Sequence, residues 1–397
     1  MHDPKAGARR APPRRRLSWR SAAARGLVYQ ALAVVVLAAL VGWLGHNTVA
    51  NMRARGIQTG FGFLQQPAGF DIGESLIPYD ALDPFWKAFV VGTLNTLRVA
   101  LVGIVATTIL GTLVGVGRFS GNALVRGLCA TYVEVFRNVP VLLQLLMWYL
   151  LFTEVLPPVS EAIALGPGIW ISKSGLSFPE PRWEAGHLAV LAGTLLGGLA
   201  GVGWARFARR RFERTGRPLP VAGPAVALVA VAATVAWWAG GAPSAWDVPV
   251  KGDVIVEGGA TATPEYLALV LGLVIYTGAF VAEVVRAGIR AVPQGQAEAA
   301  ASLGLSHGQA MRLVVLPQAL RVIVPPLTSQ YLNLTKNSSL AVAIGFPDVV
   351  SIANTAINQT GRAVECIAVI MAVYLTASLG TAALMGWTNR RVAIRER

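Results

Sequence analysis

Glu298-Ala299-Ala300-Ala301-Ser302-Leu303-Gly304, followed after nine residues by Val314-Val315-Leu316-Pro317, interrupts a chain that is otherwise apolar over long windows. Pro293 is suited to open a helix at its first turn, the residues up to Leu303 are mostly good helix formers, and Gly304 suits the left-handed residue that ends one. Ser306 then caps a second helix while Gln309, three residues on, reaches back to the Ser306 amide as a capping box. The spacing therefore predicts two short helices with a bend between them. A polar elbow kept between apolar windows is expected to dock a partner.

Composition says what surrounds the elbow. Of 397 residues, 54% are hydrophobic and 14% charged, whereas soluble domains carry about 25% charged residues. The chain is expected to be an all-α polytopic membrane protein. Its net charge of +14 does not point to nucleic acid, because the arginines fall in blocks between apolar segments, as the positive-inside rule requires. The first block, from Lys5 to Arg25, is expected to lie on anionic lipid. Leu27 to Leu44 is long enough to span, with no small-residue cleavage site after it, so it reads as an uncleaved first helix. Cys129 and Cys366 are placed near opposite faces and are not expected to pair. His2, His46, His187 and His307 have no metal-ligand spacing.

Apolar windows long enough to cross about 30 Å of hydrocarbon recur at 26–45, 88–117, 131–156, 187–205, 219–240, 264–286, 319–345 and 363–387. With the N-terminal tail inside, these eight spans place Arg118 and Arg126, Arg206 to Arg211, the elbow and Arg390 to Arg397 on one side, with both termini cytoplasmic. Segments 46–87, 157–186 and 241–263, broken by Pro and Gly, are expected to be outer loops. The mildly polar 346–362 is a candidate for dipping back into the membrane. Gly111 with Gly115, and Gly193, Gly197 and Gly201, are spaced to let neighbouring helices approach closely.

Catalytic chemistry is not legible. Ser172-Lys173-Ser174 lacks the glycines of a phosphate loop, so this chain is not expected to bind ATP, and no catalytic triad, zinc-protease helix or carboxylate pair stands out. Polar groups inside the spans are more telling, since burying them in lipid is costly. At 100° per residue, Ser329, Gln330, Asn333, Lys336 and Asn337 fall on one face roughly 120° wide. That face offers a cation for a carboxylate and hydrogen-bonding groups for an ammonium, making Gln330, Asn333, Lys336, Asn337 and, in span two, Arg98 the candidate pathway residues. Interhelical hydrogen bonding is the competing reading. Glu134 with Arg137, and Glu283 with Arg286, are spaced to neutralise each other. Pro325-Pro326 is expected to break span seven.

The elbow resembles the EAA loop of ABC-importer permeases, EAA-x3-G-x9-I-x-LP, with Val314 in place of the usual Ile. Asn95 to Ala100, Tyr132 to Gln144, Phe280 to Gly288 and Asn337-Ser338-Ser339-Leu340 extend the resemblance to permeases of polar amino-acid importers. The layout is similar to the larger permease subunit of a broad-specificity L-amino-acid importer. That resemblance divides the chain into a basic tail 1–25, a first helix and outer loop 26–87, a first core segment 88–156, an insert 157–263 with two spans, a second core segment 264–390 with the coupling loop 293–317, and a tail 391–397. It implies Glu298, Ala299, Ala300, Gly304, Leu316 and Pro317 as the coupling residues. It also implies ATP-binding cassette subunits holding ATP and Mg, a second permease subunit and a periplasmic amino-acid-binding protein as partners, in a bacterial inner membrane. An ion-gradient-driven secondary transporter, which would need no elbow, is the alternative, and a membrane enzyme or scaffold is a third.

Overall fold

Each apolar window but the third becomes one continuous helical segment whose ends are set by local chemistry. In the computed structural model residues 22–54, 56, 59–242 and 244–392 are described; most of the expected basic tail 1–25, and residues 393–397 of the C-terminal tail, lie outside them. Helix α1 runs Ala22–Ala54. Helix α2, Phe85–Gly117, starts after Pro84. Helix α3, Ala123–Asn138, is capped by the Asn122 side chain, which accepts from the Leu124 and Val125 amides.

Here the expected third span departs from a single helix. Pro140 has no N–H to continue α3, and Val139 before it is extended, with φ −94° and ψ 127°. The chain turns by 104° into α4, Val141–Leu150, which continues as one π-helical turn to Val155. Gln144 repairs the break, its Nε2 donating to the carbonyls of Phe136 (3.0 Å) and Val139 (2.9 Å).

The two segments expected to be plain loops, 157–186 and 241–263, instead form strands together. Strands β1 (Ile163–Gly166), β2 (Ile169–Ser172) and β3 (Gly175–Phe178) form an antiparallel meander, and β4 is Glu180–Pro181. After helices α5 (Ala185–Thr215) and α6 (Ala222–Ala239), β5 (Trp246–Asp247) pairs β4, β6 (Val250–Lys251) pairs β7 (Val256–Glu257), and β8 (Ala260–Ala262) closes the sheet on β3. Gly175 sits at φ +108°, where an added Cβ would lie 2.1 Å from the Ala262 carbonyl oxygen, so only glycine allows the β3–β8 approach. Leu176 and Phe178 rest on the core cluster of Val99, Leu145 and Leu269. The sheet thus holds the two ends of the insert against the bundle.

Helix α7, Pro264–Arg290, is the hub. Its capping residue Thr263 accepts from the Tyr266 amide, and 61% of its apolar window is buried, against 33% for α2 and none for α1, α6 and the last helix, α12 (Ala363–Val392). Glycines explain the tight α2–α7 seam: a Cβ at Gly111 would lie 2.5 Å from Val281 Cγ1, and one at Gly115 2.8 Å from the Ala282 carbonyl. Helices α8 (Gln294–Ser302) and α9 (His307–Ala310) form the elbow. A π turn, Met311–Val315, leads into α10, Leu316–Asn337. Contrary to the expected break, α10 continues as one helix through Pro325 and Pro326, then tightens to a 3-10 helix that ends at Gly345, φ +78°.

Residues 346–362, the candidate for dipping back into the membrane, lie between two long helices. They contain α11, Val349–Thr360, capped by Asp348 and stopped by Gly361 at φ +70°. At 12 residues it is about 18 Å long, too short to cross hydrocarbon. It packs on α2 where Gly92 leaves room for Ile352 and Val349, and on α12, Ala363–Val392. Among the described residues seven helices are long and apolar enough to span, or eight counting the bent α3–α4 pair once. Helices α5 and α6 pack on each other through Gly193, Gly197 and Gly201, facing Ala232 and Ala236, Val229 and Ala225, and barely touch the core helices.

Candidate functional site

The elbow is built by backbone geometry rather than by a core. At the end of α8 the Leu305 amide donates to Ala300 O (3.2 Å) and the Gly304 amide to Ala301 O (2.9 Å), with Gly304 at φ +77°, which is a Schellman stop. The capping box is present in both directions: the Ser306 amide donates to Gln309 Oε1 (2.9 Å) and the Gln309 amide to Ser306 Oγ (3.4 Å). Ala300, Ala310 and Val315 are buried and anchor the two arms. Gln318 Nε2 links them by donating to Gln296 Oε1 at 3.1 Å. Glu298, Ala299, Gly304, Leu316 and Pro317 are exposed. Leu303 at the tip is 82% exposed, and nothing in the local sequence pattern marks it as a surface residue.

The same helix that leaves the elbow carries the polar face. Gln330, Asn333 and Asn337 of α10 line one cavity of about 270 Å3 together with Tyr276, Thr277 and Phe280 of α7. Thr277 Oγ1 is buried without a hydrogen-bond partner. Lys336 is exposed beside this group, outside the cavity lining. The α7 wall is not among the pathway residues expected from sequence; Tyr276 and Phe280 at i, i+4 around Thr277 are its only signal there.

Arg98 stands apart from that cavity. It pairs with Glu74 from the segment before α2 and stacks over Tyr266 at 4.1 Å, about 15 Å along α7 from Tyr276. Glu74 Oε2 also accepts from the Thr263 hydroxyl at 2.7 Å, and the Asn95 amide nitrogen donates to the Glu74 carbonyl at 2.8 Å. This network ties the 46–87 segment to α2 and α7, beside a second cavity of about 370 Å3 that Glu74 and Thr263 line.

One helical turn beyond Phe280, Glu283 gathers charge from three elements. Arg286 of the same helix pairs with it as its spacing suggested, and Arg118, one residue past α2, joins at 2.5 Å. Arg137 of α3 lies 3.9 Å from the same carboxylate, with its guanidinium 5.1 Å from the Phe280 ring centre. The expected Glu134–Arg137 pair therefore does not form, because Arg137 turns to the carboxylate across the α3–α7 contact instead.

Helices long and apolar enough to span, a polar elbow continuous with one of them and a cavity walled by polar side chains make up the construction of a membrane transport permease. The family model for the binding-protein-dependent transport system inner membrane component matches residues 193–394. The chain belongs to that family, and three relatives match along nearly its whole length. The general L-amino acid transport system permease protein AapQ of Rhizobium johnstonii is 45% identical over 373 residues, 94% of this chain and 93% of that protein. YhdX of Escherichia coli is 46% identical over 393 residues, 98% and 99% of the two chains. The glutamate/glutamine/aspartate/asparagine transport system permease protein BztB of Rhodobacter capsulatus is 37% identical over 405 residues, covering 94% and 95%.

Proposed function

We infer that this chain is the permease subunit of an ATP-driven importer that moves polar L-amino acids from periplasm to cytoplasm across a bacterial inner membrane. The observation that carries the reading is the continuity of the elbow with α10, so that one helix joins a docking surface to the Gln330–Asn333–Asn337 wall. ATP-binding cassette subunits, which hold ATP and Mg, dock on Glu298, Ala299, Ala300 and Gly304 and on the start of α10 at Leu316 and Pro317. A periplasmic binding protein delivers substrate, and a second permease subunit faces the open side of the cavity. Positive-inside bias supports cytoplasmic termini and a cytoplasmic elbow.

In this reading Lys336 attracts the substrate carboxylate while the side-chain amides of Gln330, Asn333 and Asn337 offer carbonyl oxygens to its ammonium. Arg98, engaged by Glu74, orders the outer end of the pathway. Family membership favours this reading over an ion-gradient-driven transporter. The discriminating experiment is uptake of labelled glutamine into proteoliposomes holding the full complex and its binding protein. We expect uptake to require ATP inside the ATPase-facing compartment and to ignore proton and sodium ionophores; uptake that follows the ion gradient and ignores ATP overturns the reading.

A further inference from the structure

The insert helices carry a feature that lies apart from the elbow and from the Gln330–Asn337 cavity. On the α5–α6 hairpin, Gly198, Gly201, Val202 and Ala205 together with Ala225 and Val229 line a groove of about 520 Å3 beside the packed seam, lined almost wholly by apolar atoms and open to the side. Helix α6 begins only at Ala222, opposite the Gly201–Ala205 turn, so the last part of α5 overhangs it by about 15 Å. Trp204 Nε1 donates to the Pro220 carbonyl at 3.1 Å and pins the connection back, while Gly216 at φ +66° ends the overhang.

That overhang is strongly cationic. Residues 206–217 hold six arginines and one glutamate, and among the described residues only Arg209 is paired, to Glu213 at 3.2 Å with both groups exposed. Helical spacing decides which arginines matter. Arg206 is four residues past Val202 and Arg209 four past Ala205, so both continue the stripe that lines the groove. Phe207 and Phe212, 53% and 51% exposed, flank them. A narrow apolar channel ending in guanidiniums, Arg206 without an ion-pair partner among the described residues and Arg209 held only by an exposed glutamate, matches the two chemistries of one molecule, an acyl chain and a phosphate.

We propose that the arginine-bearing half of the α5–α6 hairpin binds an anionic phospholipid of the cytoplasmic leaflet, its acyl chain in the Gly198–Ala225 groove and its phosphate on Arg206 and Arg209. A soluble anion would leave the groove empty, and a partner helix would have to bring acidic side chains of its own to meet six cations. The proposal stands apart from the transport reading, and either can fail alone.

The test is native mass spectrometry of the purified transporter complex in mixed micelles containing cardiolipin, phosphatidylglycerol or phosphatidylcholine. We expect at least tenfold greater retention of the anionic lipids than of phosphatidylcholine. Arg206→Gln with Arg209→Gln should lower anionic retention at least fivefold. Gly198→Leu should lower it similarly with every arginine present, because a Cβ there meets no atom within 4 Å and the side chain fills only the groove. Gly203→Leu, equally unobstructed but turned away from the groove, should retain lipid as the parent does and shows that added bulk alone is harmless. Equal retention of phosphatidylcholine, or full anionic retention by Gly198→Leu, overturns the proposal. So does a Gly198→Cys variant that crosslinks in native membranes to another protein subunit.

Discussion

Gly304 carries the elbow through a backbone conformation and not through packing: its φ is +77° and a Cβ there would touch nothing. Gly304→Val therefore isolates conformation, costing about 1–2 kcal/mol in the left-handed region, while Gly304→Asn tolerates it better. If the elbow couples ATP hydrolysis to transport, the Val variant should insert and assemble but hydrolyse ATP without stimulation by loaded binding protein, and the Asn variant should keep most coupling. Equal stimulation in both would sink the coupling role of this bend. Lys336 is tested by replacement with Met, which keeps length and removes charge. Uptake normalised to purified complex should fall at least tenfold, with partial recovery in Lys336→Arg because a planar fork replaces a compact ammonium; unchanged normalised uptake would leave the face as interhelical glue. Asp348, at the cap of α11, shows a third kind of residue effect. Burial pushes its carboxyl up to about 6 from 3.8, against hydrogen bonds that pull the other way. The folded protein then holds a proton that the unfolded chain has released, so stability from this group is full below about pH 4 and is lost as pH rises through about 6. Asp348→Asn retains a capping side chain and should flatten the rise in melting temperature between pH 7 and pH 5; an unaltered pH slope would remove Asp348 as its source.

At the scale of elements, the α3–α4 bend depends on Gln144, whose amide serves two carbonyls freed at Pro140. Gln144→Leu keeps bulk but leaves Phe136 and Val139 oxygens without that donor, at a cost of about 2 kcal/mol. A lowered melting temperature of the detergent-solubilised protein is expected, and an unchanged one would mean that other groups satisfy the bend. The elbow is readable from residues because its instructions are local: Pro293, Gly304 and the Ser306–Gln309 pair each act within a few positions. The bend is harder, since 131–156 passes as one apolar window despite Glu134, Arg137 and Glu154, and hydropathy does not register a missing N–H. The sheet is harder still. Its strands are at most four residues long, and the Ser177 hydroxyl meets that of Thr261 from 84 residues away. For the cavity, period 3.6 suffices to collect Gln330, Asn333 and Asn337, but not to choose the face of α7 opposite them. That choice depends on which side α7 gives to α2, a tertiary fact set by Gly111 and Gly115. Arg98 is legible as a cation within span two, but its partner Glu74 is not, because no local pattern links the two.

Over the whole molecule the insert is an excursion that leaves and re-enters at neighbouring points. The Arg182 amide donates to the Ala245 carbonyl at 3.0 Å, so residues on either side of the α5–α6 hairpin are already in register as β4 and β5. Replacing the chain between them by a two-residue Asn-Gly turn, the connection that suits paired strands, should leave a core that still assembles with its partners and imports, while losing the anionic lipid. Size-exclusion profiles and uptake of the shortened complex check this; aggregation would show that the hairpin supports the core after all. The glycine seam between α2 and α7 has a further consequence in time. Gly111 must wait for Val281, made roughly 170 residues later, which at about 5–20 residues per second is on the order of 10–30 s of synthesis. Throughout that interval the notches of α2 are in the bilayer with nothing but hydrocarbon tails to fill them. Maturation of the bundle is then a displacement reaction, in which α7 expels lipid from α2, and its rate should follow the fluidity of the membrane into which the chain is born.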